Sequence, residues 1–412
     1  MKSHYIISKC QISKSKNLKK IINLGFTPPV NQLLDIKKQN KSQTQNFFDT
    51  ELLYCPKSKL VQLNIVVDKK IVFPKDYPYT SSTTKILRDN FKDLHNEVKK
   101  IIDLKKKNFI VDIGSNDGNL LSNFKDDFKV LGVTPENIGK IAIKRGIPTL
   151  LRYFDSKTVK IIKKKMGKPN IITATNVFAH IDEPKKLLRN IISLLDKDGV
   201  FITESHYLMP LIKEVQYDTI YHEHLRYYSL ESLKYFFSLF DLNIFYAKKI
   251  KTHGGSIRVY ATRNNKYKID SSVKKILKEE KKYLNQENFI KFKKNVVMSK
   301  LKLHKILCDL KINNKKIYGI SAPSRASTLI NYVKLDENII DCVLEIKGSQ
   351  KIGKFIAGTK IPILDEKILY KDQPDYVLIF SWHIFKEIKN NLRKRGFKGK
   401  FILPLPVPKI IN

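Results

Sequence analysis

The densest run of chemistry-bearing side chains is Tyr221-His222-Glu223-His224-Leu225-Arg226-Tyr227-Tyr228. An imidazole titrates near neutrality and a neighbouring carboxylate can orient it, so a His beside Glu223 suits removal of a proton from a carbon acid. In an extended segment His222 and His224 share a face, which keeps metal binding open as a second reading. Only two imidazoles and one opposed carboxylate are offered locally, so a metal would need distant ligands. A polar surface loop is the plain alternative.

A second constellation is Asp112-Ile113-Gly114-Ser115-Asn116-Asp117-Gly118. It ends the apolar run 109–113, which reads as a buried strand, and precedes a helix-like stretch at 119–124. Gly114 permits a sharp turn at the strand end, and Gly118 permits close backbone approach to a ligand. Asn116 breaks the G-x-G-x-x-G fingerprint and argues against a nicotinamide or flavin enzyme. An acidic strand end followed by G-x-x-x-G suits a cofactor with no pyrophosphate, such as S-adenosylmethionine, whose ammonium Asp112 can meet. The next strand, 130–133, ends at Thr134-Pro135, where a ribose-binding carboxylate is expected. Thr134 offers only single hydrogen bonds, and Glu136 two residues on is a substitute. Asn176 to His180 follows the run 171–173, at a strand end where open α/β sheets bind ligands. No Asn/Asp-Pro-Pro-Tyr signature occurs there, and Cys55 precedes Pro56 instead of following a proline. Both absences count against methylation of nucleic acid.

The elements that position these groups fall into three blocks. Residues 1–70 form a short mixed module. In 71–106 a connector helix is expected over 85–104, because Leu87, Phe91, Leu94, Val98 and Ile101 recur at spacings of three and four; the hydroxyls of 80–84 offer its N-cap. Residues 107–265 alternate apolar runs at 109–113, 130–133, 171–173 and 200–203 with helical segments such as 184–195, a pattern of a doubly wound parallel sheet. A Lys-rich helical linker spans 266–312, densest over 271–310. Residues 313–412 restart the alternation, with strands expected at 316–320, 341–345, 375–380 and 401–404, as a second, smaller α/β domain. There Ser321 to Ser327 joins strand to helix; the N–H groups of that helix start, with Arg325, suit a phosphate, or the segment is simply a capped helix. His253-Gly254-Gly255-Ser256 offers close approach to a ligand, or a turn. Trp382 and His383 receive no role.

The chain of 412 residues carries 78 basic and 39 acidic groups, a net charge of +39. Most of the basic residues are Lys scattered through helices, where Arg would dominate specific phosphate or base recognition. The charge attracts anions such as nucleotide sugars without selecting one. No apolar run approaches the roughly 20 residues that cross a bilayer, and the first 20 residues lack a signal-peptide core. Four cysteines make no disulfide framework, so a reducing cytoplasm is the expected compartment.

Five ordered motifs carry a family resemblance: Asp76-Tyr77-Pro78-Tyr79-Thr80-Ser81-Ser82-Thr83, Val111 to Gly118, Asn176 to His180, Tyr221 to His224, and His253-Gly254-Gly255-Ser256-Ile257-Arg258. With Gly319 to Arg325, Gly358 to Ile363 and Leu405-Pro406, they make nearly the whole chain resemble the C-methyltransferases of nucleotide-linked deoxysugars. The resemblance implies a Rossmann-like methyltransferase domain between a zinc-binding N-terminal module and a smaller C-terminal Rossmann-like domain. It also implies S-adenosylmethionine as cofactor, and a nucleoside-diphosphate 4-keto-deoxysugar methylated next to its ketone. Matching positions make His224 the base, Glu223 its companion and Tyr221 the neighbour of the enolate oxygen, with Tyr79 and His180 lining the sugar pocket. Asp112, Gly114, Ser115, Asn116, Asp117, Gly118, Thr134 and Asn176 are expected at the cofactor. Tyr77, Ser82, His253, Gly254, Ser256, Arg258, Ser324 and Arg325 are expected at the substrate.

Where such enzymes carry two Cys-x-x-Cys pairs, this chain has Cys10-Gln11-Ile12-Ser13 and Cys55-Pro56-Lys57-Ser58. Tetrahedral structural zinc wants four good ligands, so the sequence predicts no structural zinc here. The expected partner is a small-molecule nucleotide sugar, with no nucleic acid or membrane, and the chain is expected as a monomer or homodimer. Two other classes stay open. The charge motivates an RNA or DNA methyltransferase; Thr134 and the lost thiolates motivate a binding protein of methyltransferase fold without activity.

Overall fold

Phe109, Val111 and Ile113 alternate with Ile110, and the sheet they join is apolar on both faces, as a sheet covered by helices on each side must be. The computed structural model describes residues 3–38, 44–73, 82, 84–264 and 266–412. The central sheet runs Thr149–Leu150, Lys129–Val133, Phe109–Ile113, Ile171–Thr175, Val200–His206, Ser256–Thr262, Asn243–Ile250. The first five strands are parallel; the last two form an antiparallel edge. Chain order reverses at Phe109–Ile113, so the crevice at its carboxyl end is the switch point at which such sheets take ligands.

That antiparallel edge is absent from the sequence-based pattern, because the Lys residues of Asn243–Ile250 and the Arg of Ser256–Thr262 mask its apolar faces. Arg258 shows how the masking works. It is fully buried, with Nε on Glu204 at 2.6 Å, Nη1 on Glu97 at 2.9 Å and Nη2 on Asn90 Oδ1 at 3.0 Å. Glu97 and Asn90 belong to the helix Lys85–Ile101, whose Leu87, Phe91, Leu94 and Val98 are buried. Thr84 is its N-cap residue, but its side chain makes no capping bond. The linker stretch is two helices, Ser271–Tyr283 and Gln286–Ile312. They break where the Asn285 side chain accepts from the Asn288 N–H, a cap that competes with helix continuation.

The N-terminal module is an antiparallel sheet of Lys19–Thr27, Phe48–Cys55 and Leu60–Leu63, with Arg226–Tyr227 as its fourth strand. A strand two residues after His224 thus belongs to the sheet of another unit. The C-terminal unit is a sheet in the order Ile363–Asp365, Cys342–Glu345, Ile317–Ile320, Tyr376–Ile379, Lys400–Leu403, Lys409–Ile411, parallel except for its last strand. The architecture is α/β: a Rossmann-like domain, a second α/β unit and a small N-terminal module.

Candidate active site

Tyr221 to His224 forms a turn, and its side chains diverge into three units. His222 is buried against the N-terminal module, with Nε2 at 3.1 Å from Thr50 Oγ1 and its ring edge-on to Phe48. Glu223 is buried, and its carboxylate accepts from Asn31 Nδ2 at 2.7 Å; the same amide reaches Ser324 of the C-terminal unit at 3.2 Å. His224 alone faces the end of the central sheet. The expectation that His222 and His224 share a face is therefore corrected: the chain turns, so their rings part. Among the described residues no group of three or more His, Cys, Asp or Glu side chains is placed to hold a metal.

His224 is oriented by a group that sequence reasoning missed. Its Nδ1 lies 3.0 Å from the Thr219 carbonyl, which can only accept, so Nδ1 carries the proton. Nε2 then keeps its lone pair, and Tyr221 Oη donates to it at 3.2 Å. The orienting acceptor is this backbone carbonyl and not the Glu223 carboxylate. Burial, with His180 and His206 alongside, holds His224 well below the usual imidazole range, so it is neutral at pH 7. Two strands of backbone bonding place it: Leu225 N–H donates to Ala179 O at 2.9 Å, and Leu63 N–H donates to Leu225 O at 3.0 Å. His180 follows, donating from Nδ1 to Glu223 O at 2.7 Å with its ring 5.1 Å from that of His224. Burial drives His180 down to about 4.

At the switch point, Asp112 and Thr173 are in register on neighbouring strands, and Thr173 Oγ1 donates to the Asp112 carboxyl at 2.6 Å. Burial pushes that carboxyl up to about 7, with Glu204 adding to the rise against the Thr173 bond. An incoming ammonium would reverse this and restore the carboxylate. Ser115 Oγ is buried and has no hydrogen-bond partner. Gly114, Asn116, Gly118 and Asn176 all hold positive φ, at 72°, 51°, 78° and 57°. A buried acid and an orphaned hydroxyl beside this turn fit S-adenosylmethionine. Thr134 is buried and donates to Glu136, which brings a carboxylate to the end of the second strand.

Other expected contacts are used inside the protein. A Cβ on Gly118 would meet Ala142 and Ile147 at 2.8 and 2.7 Å, and one on Gly254 would meet Gln216 at 2.7 Å; these glycines permit protein packing. Asp117 pairs with Arg145 at 3.2 Å. Ser256 Oγ donates to Thr252 O, and the Ser82 carbonyl accepts from Arg88. All the Arg258 donors are taken by Glu204, Glu97, Asp93 and Asn90, which corrects its assignment to the substrate. Arg325 is bidentate on Asp218, at 3.2 and 3.4 Å, and its Nη1 lies 2.6 Å from His383 Nδ1. Trp382 Nε1 donates to the same Asp218 at 2.8 Å. Arg325 thus ties the C-terminal unit to the loop that carries Thr219, in place of the expected free phosphate donor. Tyr77 and Tyr79 lie outside the described residues. Asn31, Asp218 and Trp382 had no local signal, since their partners lie 107 to 293 residues away in the chain; Thr219 lies five residues before His224 but acts through a backbone carbonyl, which carries no residue-type signal.

The zinc positions of the N-terminal module also converge. Cys10 Sγ lies 3.1 Å from Ser58 Oγ, and Cys55 Sγ lies 3.3 Å from Ser13 Oγ; Cys10, Cys55 and Ser58 are buried and Ser13 is partly so. Two thiols and two hydroxyls do not make a structural zinc set; here they hydrogen-bond to each other.

An open sheet of this order, with a glycine turn and a buried acid at its switch point, defines an S-adenosylmethionine-dependent methyltransferase, and residues 86–246 match a methyltransferase domain model. Residues 10–73 match a zinc binding domain model and residues 251–406 a C-methyltransferase C-terminal domain model. The C-methyltransferase NovU of Streptomyces niveus is 27% identical over 98% of this chain and 97% of its own length. The three models fall on the chain in N-to-C order, the arrangement of a three-part C-methyltransferase, and together take in most of its length. Among solved structures, a methyltransferase from Anabaena variabilis is 15% identical, covering 42% of this chain and 84% of that one with a TM-score of 0.34. One from Clostridium acetobutylicum is also 15% identical, covering 44% and 93% with a TM-score of 0.34.

Proposed function

We propose that the enzyme methylates the carbon next to the ketone of a nucleoside-diphosphate 4-keto-deoxysugar. The sugar follows from the family resemblance; the observation that carries the chemistry is the His224–Tyr221 pair. A neutral Nε2 lone pair and a hydroxyl proton stand 3.2 Å apart in a buried site. Enolisation needs a base at carbon and a donor at the adjacent oxygen, side by side and away from water. Nε2 takes the proton from carbon, and the Tyr221 hydroxyl turns from Nε2 to the developing enolate oxygen. Thr219 O, accepting from Nδ1, stabilises the imidazolium and fixes the ring. His180, held by the Glu223 carbonyl, packs beside the ring and restricts its movement. Asp112, Ser115 and the backbone of the Gly114–Gly118 turn would hold S-adenosylmethionine, with Thr134 and Glu136 at its ribose; it supplies the electrophilic methyl group. Catalysis is then chiefly positioning of the nucleophilic carbon.

The test is deuterium wash-in beside the ketone, in heavy water and without cofactor, over a panel of nucleoside-diphosphate 4-keto-deoxysugars. Exchange is expected in the wild type and near-complete loss in His224→Ala. Equal exchange in both removes His224 from the role of base.

A further inference from the structure

His206 ends the central strand Val200–His206, beside the strand that leads to Asn176, on the ligand-facing edge of the sheet. Its ring is stacked on His224, with centroids 5.9 Å apart and planes 20° from parallel, and lies edge-on to Tyr227. The side chain is 6% exposed, and neither ring nitrogen makes a well-formed hydrogen bond: the Gln216 side chain and the His253 backbone lie beside the ring, but their contacts fall short of one. The strand pairs His206 with Ser256, so the turn at Thr252–Gly254 lies against the ring. That turn brings His253, whose Nε2 is also buried without a well-formed bond, and Gln216 Oε1 is a fourth such atom. Gln216 cannot rotate freely to close a bond, because its Nε2 donates to Gly254 O at 2.6 Å and to Glu214. Unpaired polar atoms gathered in a native interior mark a place where something other than the chain completes the bonding.

We propose that His206 is a further substrate-binding residue, whose neutral imidazole, with Gln216 Oε1, takes a hydroxyl of the sugar next to the base. This rests on the function proposed above and names a contact within it. A hydroxyl both donates and accepts. Gln216 Oε1 accepts its proton, and a His206 N–H donates to its oxygen. Burial, with Arg325 and His253 nearby, drives His206 down to about 3, so the ring presents one donor and one acceptor throughout the working pH range. The stack on His224 places this contact beside the carbon that loses its proton, where it orients the sugar ring towards Nε2.

The test compares wild type, His206→Phe and His206→Asn. It measures KM and kcat with the panel of nucleoside-diphosphate 4-keto-deoxysugars, affinity for S-adenosylhomocysteine by calorimetry, and thermal midpoint without ligand. His206→Phe should raise KM about tenfold, the scale of one lost hydrogen bond, with S-adenosylhomocysteine affinity unchanged. Its midpoint should hold or rise, because an unpaired buried imidazole is gone. His206→Asn keeps a donor and an acceptor and should recover most of the KM. An unchanged KM in a folded His206→Phe overturns the proposal and shows that the orphaned nitrogens bind water only. A His206→Asn as impaired as the Phe variant also overturns it, by showing a packing role. Should His206→Phe not fold, the imidazole nitrogen resonances of labelled wild type decide: no shift on saturation with sugar nucleotide overturns the proposal. If the wild type turns over no member of the panel, the proposed function has failed; turnover with an indifferent His206 sinks this contact alone.

Discussion

At the residue scale the site rests on one backbone carbonyl. Thr219 O accepts from His224 Nδ1 and also from Tyr227 Oη at 3.0 Å, which fixes the tautomer and leaves the lone pair on the other nitrogen, the proposed base. Because burial lowers the His224 pKa, the free base persists below pH 6.5. The acid limb of the kcat/KM profile should therefore fall below that value; a limb at or above 6.5 would mean that another group titrates. Tyr221→Phe removes the donor to the enolate oxygen and should cut kcat by about 10² to 10³, the range for one oxyanion donor, without changing affinity for S-adenosylhomocysteine. A kcat within threefold of wild type would assign the oxygen to another group. The His-Glu-His cluster was legible as chemistry from residue types alone. The packing partners of the three were not legible, because a turn points each side chain into a different unit.

At the scale of elements, the N-terminal sheet takes Arg226–Tyr227 as its edge strand, which binds the loop carrying His224 to a module whose apolar residues join the cores of the other two units. Cys10, Ser13, Cys55 and Ser58 come together in this module, where thiol–hydroxyl contacts stand at positions a metal would occupy in a zinc module. Ser13→Cys with Ser58→Cys should restore a tetrahedral thiolate set. The double variant is expected to bind one zinc per chain by metal analysis and the wild type none; stoichiometric zinc in the wild type, or none in the double variant, contradicts this reading. Strand and helix periodicity was legible for the parallel strands, whose faces are both apolar. It failed for Asn243–Ile250 and Ser256–Thr262, where Arg258 is neutralised by Glu97 of a distant helix and Glu204 of the neighbouring strand, and a local pattern sees only a charge.

Over the whole molecule, neutral histidines are concentrated in the interior. Burial lowers His180, His222 and His253 to about 4 and His206 to about 3, and His224 is lowered as well. Below pH 6.5 the unfolded chain binds protons at these sites while the folded chain does not, so stability falls as pH drops from 6.5 towards 4. Each histidine contributes up to about 1.4 kcal/mol per pH unit in that window. Asp112 and Glu280, raised to about 7, and Asp218, also raised by burial, act in the opposite sense as pH falls towards 4, but these five histidines, with His383 lowered by burial as well, outweigh three carboxylates. The urea midpoint should fall from pH 7 to pH 5; an equal or higher midpoint at pH 5 would show these rings reach solvent. The same interior joins the units, since Asp218 of the methyltransferase domain accepts from both Arg325 and Trp382 of the C-terminal unit.

By itself the sequence determined the alternating α/β plan, the glycine turn with its buried acid, the segment that carries the base and the loss of two thiolates. Each of these is a local property, set by residue type and near spacing along the chain. Tertiary structure decided the partner of each group: Thr219 for His224, Asn31 for Glu223, Asp218 for Arg325, and for His206 stacking on His224 without a well-formed hydrogen bond. Hydrogen bonds and ion pairs form between atoms that folding brings within about 3 Å, and neighbours in space need not be neighbours in sequence.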